Sequence, residues 1–234
     1  MPAGGPFGYI PPVKVVRPRQ GFDRGGFRVL DGGAQPREHE PTDAELIDAF
    51  ERGDGQACEQ LYDRLIGVVE GTLWRVLGRR DEHHDDLVQS AFEQIVMTLS
   101  RRRFARACSL SSWASTVTAH IAFNAIRART RERQVLDRTR NPEADLGDLA
   151  HHDDVEREVG VREDFARVRI YLAEMDWGRA ATLFLHDVLG HELSEISVLM
   201  GVSVAAAQSR LVRGRRELQE RLSKGSDPRT RGKP

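Results

Sequence analysis

The stretch from Gly190 to Leu222, GHELSEISVLMGVSVAAAQSRLVRGRRELQERL, constrains the fold of this chain more than any other. A short helix is expected to open at Ser194, with Ile196, Leu199 and Met200 at helical spacing, and to stop at Gly201, which tolerates positive φ. Gly201-Val202-Ser203 then reads as a turn. Ser203 is placed to N-cap a second helix, on which Val204, Ala207, Leu211, Leu218 and Leu222 share one side. With Gln208 at zero on the wheel, Val212 lies at about 40°, Arg216 at about 80°, Ser209 at about 100° and Arg213 at about 140°. A hydrogen-bonding, basic face therefore stands opposite the apolar one. Such a pair of helices is the helix-turn-helix, whose second helix enters the major groove of duplex DNA. The plain alternative is a helical hairpin with a solvated basic face, so the rest of the chain must decide.

The formal net charge of -1 conceals a strong pattern. Lys and Arg number 5 against 13 Asp and Glu in residues 41–100, then 10 against 2 in residues 101–140. They number 4 against 11 in residues 141–176 and 9 against 3 in residues 202–234. Two basic blocks, each after an acidic one, imply two separate contacts with a polyanion. Cys58 and Cys108 are far apart and form no CxxC, which argues against a disulfide framework or a thiolate zinc site and fits a reducing cytoplasm. No apolar run approaches the roughly 18 residues that span a bilayer, and the N-terminus lacks the pattern of a signal peptide. The expectation is a cytoplasmic protein without membrane insertion.

Residues 1–40, rich in Gly, Pro and Arg, read as a disordered or adaptable leader. Thr42-Asp43-Ala44-Glu45 resembles a capping box, followed by an apolar stripe at Leu46, Ile47 and Phe50 that ends at Gly53. A second helix is expected over about 56–77, with Cys58, Leu61, Tyr62, Leu65, Ile66, Val69, Leu73 and Val76 toward the core. A third, over 85–99, sets Leu87, Val88, Ala91, Phe92, Ile95, Val96 and Leu99 against a polar face of Asp86, Gln89, Ser90, Glu93 and Gln94. That face is either solvated or a docking surface for a partner.

Arg101 to Ser109 is a basic connection containing Phe104, and a fourth helix is expected from Leu110 through Trp113, Val117, Ile121 and Ile126 into RARTRER. Arginines flanking aromatic side chains suit single-stranded nucleic acid, whose phosphates need positive charge and whose unstacked bases need pockets. Trp113 itself is expected in the core, beneath the loop. Residues 134–161 are acidic and weakly apolar, as an interdomain linker would be. Helical periodicity returns at Phe165, Val168, Ile170, Tyr171, Leu172 and Met175, and again from Ala180 to Val188.

His83-His84-Asp85-Asp86 and His151-His152-Asp153-Asp154 invite a metal reading, but adjacent side chains usually diverge and no further ligand stands at helical spacing. The chain also lacks GxxxxGK[ST], GxSxG, HExxH and GxGxxG. No metal, cofactor or catalytic residue is expected, and the chain is not expected to be an enzyme.

Taken together, FERGDGQACEQLYDRL, DLVQSAFEQI and SLSSWASTVTAHIAFNAIRARTRER, followed after a linker by LSEISVLMGVSVAAAQSRLVRGRRELQERL, resemble the extracytoplasmic-function group of bacterial RNA polymerase sigma factors. The resemblance covers about residues 43–133 and 165–222, in the family's order. It implies that Asp86, Gln89, Ser90 and Glu93 dock on core RNA polymerase, which favours the docking reading of that face. It implies that the loop of Phe104 through Ser109 captures a flipped base of the melted minus-ten element. The helix from Val204 would read the minus-thirty-five element as duplex. Gln208 stands where the family has a basic residue, and Gly214 where it has alanine. An anti-sigma partner is expected from the family and from no motif.

The expected fold is all-α, with two small helical domains joined by a flexible acidic linker, the C-terminal one a helix-turn-helix. Its parts are a leader (1–40), a sigma region 2-like domain (41–133), the linker (134–161), a sigma region 4-like domain (162–223) and a disordered basic tail (224–234). Minus-ten DNA would contact Arg101, Arg102, Arg103, Phe104, Arg106, Ser109, Arg127 and Arg129. Minus-thirty-five DNA would contact Gln208, Ser209, Arg210, Val212, Arg213, Arg215 and Arg216, with Gln208, Ser209 and Arg213 reading bases. The partners implied are core RNA polymerase and promoter DNA, duplex at minus thirty-five and single-stranded at minus ten. Two rivals remain: a helix-turn-helix regulator that binds duplex operators without polymerase, and a metal-dependent enzyme using one His/Asp cluster.

Overall fold

A computed structural model describes residues 41–80, 82–139 and 156–225. The leader, the second His/Asp cluster, most of the acidic linker and the tail from 226 onward lie outside the described residues. The described elements are helical: α1 (Asp43–Glu51), α2 (Gly55–Leu77), α3 (His84–Ser100), α4 (Leu110–Thr139), α5 (Glu156–Glu174), α6 (Trp177–Leu183), α7 (Leu193–Leu199) and α8 (Val204–Gly225).

Local chemistry sets the ends of these helices. The Thr42 hydroxyl accepts from the Glu45 amide while the Glu45 carboxylate accepts from the Thr42 amide, a reciprocal capping box on α1. Asp54 caps α2, which stops at Gly78 in the left-handed region with φ 72°. Asp176 caps α6, its side chain accepting from the Arg179 amide. α4 continues six residues into the stretch expected as linker, because Gln134 to Thr139 contain neither Gly nor Pro and Pro142 is the first breaker. α5 likewise begins inside that stretch, and α8 runs two residues past the expected boundary of 223.

In the first unit, Leu46, Ile47, Leu61, Leu65, Val69, Leu73, Ile95, Leu99, Leu110 and Val117 are almost completely buried between α1, α2, α3 and α4. In the second, Ala180, Leu183, Phe184, Leu185, Ile196, Ala207 and Leu211 fill the space between α6, α7 and α8. The two cores are continuous, since α4 carries Phe123 against Phe184, ring centroids 5.6 Å apart and nearly perpendicular. The edge of the Trp177 ring meets His120 at 4.6 Å. Arg127, from α4, donates to the carbonyls of Ala173 and Met175 at the end of α5, and Ser112 donates to Glu195 of α7 at 2.7 Å. In the described state, α4 is therefore a shared wall and the two units are docked.

Four residues expected in apolar stripes lie outside the cores. Cys58 is exposed and so is Tyr62, which with Ile66 lines an open groove beside α3, while Ala57, Leu61, Leu65 and Val69 face inward. Phe165, 60% exposed, lies outside the apolar cores of the two units. Val204, 49% exposed, is the first residue of α8 and projects beyond the helices it was expected to pack on.

Candidate nucleic-acid interface

α7 and α8 meet at 102°, within the range of a helix-turn-helix. α7 starts at Leu193, with Glu192 as the flanking residue and no side-chain cap, so Ser194 lies inside the helix rather than at its cap. The turn is closed by the Gly201 amide on Val198 and the Val202 amide on Ser197, with Gly201 at φ 62°. A side chain at that φ would be strained. Ser203 accepts from the Ala206 amide and caps α8.

The buried stripe of α8 is Ala207, Leu211 and Gly214, with Leu218 partly covered. Opposite it, Gln208, Ser209 and Arg213 are exposed and Val212 is 55% exposed, although an isolated valine gains nothing from facing water. These four side chains form one contiguous outward face. Arg215 and Arg216 are paired with carboxylates. Arg215 makes two bonds to Asp187, one of them Nε to Oδ2 at 3.0 Å, and Arg216 pairs with Glu220 at 2.8 Å. The Arg210 guanidinium lies against Gly178 of α6. Asp187 is presented by a π-helical turn, Phe184–Val188, whose widened backbone is seen in the Leu189 amide bonding to the Phe184 carbonyl. The hydrogen bond from Arg215 is the main reason that the Asp187 carboxyl sits below its ordinary pKa, with His186 adding to it.

The second basic surface surrounds the loop between α3 and α4. Trp113 is 7% exposed and forms a floor on which Phe104 rests, ring centroids 4.8 Å apart. Ser109 begins α4 by accepting from the Ser112 amide at 3.0 Å. Arg101 and Arg103 are exposed. Arg102 and Arg106 have left-handed backbones, φ 52° and 54°, and both reach back to α1. Arg102 meets Glu51 at 3.3 Å, and Arg106 bridges Glu51 at 3.1 Å and Asp48 at 2.6 Å. The pairing with Asp48 is the foremost reason that the Arg106 pKa is raised. A left-handed non-glycine residue costs about 1–2 kcal/mol, and an ion pair open to water returns about 0.2–1 kcal/mol. The ties thus offset only part of the backbone strain.

Of the remaining basic residues expected at single-stranded DNA, Arg127 is spent on the junction with α5, where burial lowers its pKa. Arg129 is half-buried on α4. On α3, Asp86, Gln89 and Glu93 are exposed and Ser90 is half-buried, with Gln89 donating to Glu93 at 2.9 Å. They border the groove formed by Tyr62, Ile66, Val88, Phe92 and Val96, an apolar surface that helical spacing alone predicts as core. Its exposed members, Tyr62 and Val96, follow the same three- and four-residue spacing as buried residues, so spacing could not reveal them.

The first His/Asp cluster does not converge. His84 is buried while His83, Asp85 and Asp86 are exposed, and among the described residues no group of three His, Cys, Asp or Glu could hold a metal ion. Among the described residues no single helix is long and apolar enough to cross a membrane.

A helix-turn-helix with an exposed polar and basic face, docked on a four-helix unit with an arginine-lined loop, is the architecture of a two-domain helical transcription factor. Residues 61–132 match the model of Sigma-70 region 2 and residues 166–218 that of Sigma-70, region 4, together more than half of the chain. The chain belongs to the sigma-70 family of RNA polymerase sigma factors, in its extracytoplasmic-function group. It is 28% identical over 184 residues to the ECF RNA polymerase sigma factor SigM of Mycobacterium tuberculosis, covering 79% of this chain and 86% of that one. It is 27% identical over 197 residues to the RNA polymerase sigma factor CnrH of Cupriavidus metallidurans, covering 80% and 98%. Among solved structures, CnrH in complex with the cytosolic domain of CnrY aligns with a TM-score of 0.45 at 23% identity, covering 79% of this chain and 99% of that one. The sigma factor RpoE with the anti-sigma factor NepR from Bartonella quintana aligns with a TM-score of 0.43 at 17% identity, covering 70% and 96%.

Proposed function

We propose how this sigma factor divides the work of promoter recognition between its two units. The first unit (41–133) docks on core RNA polymerase through Asp86, Gln89, Ser90 and Glu93 and the adjoining apolar groove, and holds the melted minus-ten strand on the loop from Arg101 to Ser109. The second (162–223) reads the minus-thirty-five duplex with Gln208, Ser209, Val212 and Arg213, while Arg210, Arg215 and Arg216 approach phosphates. It acts in the cytoplasm and carries no catalytic step of its own, polymerisation belonging to the core enzyme. An inhibitory anti-sigma protein completes the reading. The observation that carries the proposal is the contiguous exposed face of α8, where amide and guanidinium groups can pair with purine edges.

The docked state cannot span a promoter. Two elements about 25 base pairs apart are separated by roughly 85 Å of duplex at about 3.4 Å per pair, whereas here α4 touches α5, α6 and α7 directly. Promoter binding therefore requires the units to part. The segment 140–155 can reach at most about 55 Å when extended, and the lengths of the units supply the rest.

The decisive experiment is co-purification of the tagged protein with core RNA polymerase from a bacterial lysate, followed by transcription from fragmented genomic DNA. Stoichiometric core binding and start sites that share two upstream elements are expected. Specific duplex binding by the chain alone, with no affinity for core, would replace this reading with an autonomous regulator.

A further inference from the structure

α1 touches the loop between α3 and α4 and the start of α4, and three acidic residues of the helix make the contacts. At one end, Asp43 accepts from the Leu110 amide at 2.9 Å, helping to start α4, and is itself held by Arg64 at 3.1 Å. At the other end, Glu51 takes Arg102 and Arg106, and Asp48 takes Arg106. The Glu51 side chain is only 15% exposed, so it sits between the two arginines rather than in solvent. Both loop residues held by Glu51 are those with left-handed backbones. The strained conformation and the carboxylate that secures it coincide at both positions, and Phe104 stands between them over Trp113.

We infer that Asp48 and Glu51 of α1 are positioning residues for the minus-ten loop: through Arg102 and Arg106 they hold Phe104 and the adjoining backbone in the shape that selects the flipped base. This rests on the assignment of that loop to the melted minus-ten strand. Arg102 and Arg106 accordingly work as ties within the protein, and the phosphate-facing cations of the loop are Arg101 and Arg103. A positioning role and direct phosphate contact predict effects of opposite sign. Were Arg102 and Arg106 held in reserve for phosphates, removing a competing carboxylate would free them and tighten binding to every sequence.

The test uses holoenzyme assembled from this chain and bacterial core polymerase, with a pool of fork-junction DNA randomised across the single-stranded minus-ten segment. Wild-type holoenzyme is expected to enrich particular bases. Glu51→Ala is expected to weaken the preferred fork about tenfold and flatten base preference, with core binding unchanged. The reversed pair Asp48→Arg with Arg106→Asp is expected to recover more preference than either single substitution, which a general loss of stability would not produce. If Glu51→Ala tightens binding to all forks, or leaves base preference intact, the positioning role is overturned. A wild-type holoenzyme that selects no base would instead overturn the assignment of the loop itself. Circular dichroism of Glu51→Ala should match wild type; a change in helix content would leave the reversed pair to decide by recovery or its absence.

Discussion

The two basic surfaces of this protein, proposed as its nucleic-acid contacts, are built in opposite ways. On α8 the side chains of the Gln208–Arg213 face project from a rigid helix, with Arg216 within that face paired to Glu220 and Arg215 at its edge paired to Asp187. In the α3–α4 connection no helix is available, and the loop takes its shape from ion pairs to α1 and from an aromatic floor. A duplex presents base edges at fixed positions in its groove, so a rigid rod suffices. An unpaired base must be captured out of the stack, which calls for a shaped pocket. Rigidity is intrinsic to the helix and borrowed by the loop.

The largest effect should come from breaking the borrowed rigidity. Trp113→Ala is expected to cost about 3–4 kcal/mol, as for other buried aromatic truncations, measured by urea unfolding; a loss below 1 kcal/mol would mean that the loop does not rest on this ring. On the helical side, Arg213→Ala is expected to lower use of a cognate minus-thirty-five element by about 10–100-fold, or roughly 1–3 kcal/mol. Core binding should not change, and equal losses in run-off transcription and core affinity would move Arg213 off the reading face.

Gly214 sharpens the comparison from within α8. An added Cβ there would stand 3.4 Å from the Arg179 carbonyl and from Leu183, an ordinary contact. Gly214→Ala should therefore stabilise the protein by about 0.5–1 kcal/mol, with minus-thirty-five preference unchanged because this residue faces α6. A destabilised variant would show that the close approach of α8 to α6 requires glycine.

The smallest effect concerns the junction that keeps both surfaces together. His120 lies against Trp177 of α6, contacts Asn124, and feels Arg127, which in turn feels Asp176. Burial, then Arg127, lowers its pKa, so docking favours the neutral imidazole. The contribution is complete above the ordinary histidine pKa of about 6.5 and fades as pH falls below it. Small-angle scattering of the isolated protein between pH 7.5 and 5.5 should show expansion toward acid, and His120→Gln should remove that dependence. Expansion that persists in His120→Gln would assign the change to another group.

Much of the fold could be read directly. The capping box at Thr42, Gly78 after α2, the Ser203 cap and the apolar spacing in α1, α3 and α7 are local signals, and local backbone chemistry realises them. The exposed face of α8 was likewise legible, because helical angles follow from sequence position alone. What periodicity could not do was rank apolar rows. Cys58, Tyr62 and Val204 keep helical spacing yet face solvent, since burial depends on whether another element lies opposite. Charge was legible as composition and illegible as pairing. Arg102, Arg103 and Arg106 look equivalent in RRRFARACS, and only the position of Asp48 and Glu51, some fifty residues earlier, distinguishes Arg102 and Arg106, which pair with α1, from Arg103.

The sequence by itself determined an all-helical chain with two basic surfaces, because helix starts, stops and faces arise from interactions among residues a few positions apart. Only the tertiary structure decided which arginines are paired within the protein, that α4 serves as a wall for both units, and that Arg127 is spent at their junction. Those outcomes depend on contacts between residues far apart in the chain, whose geometry no local pattern encodes.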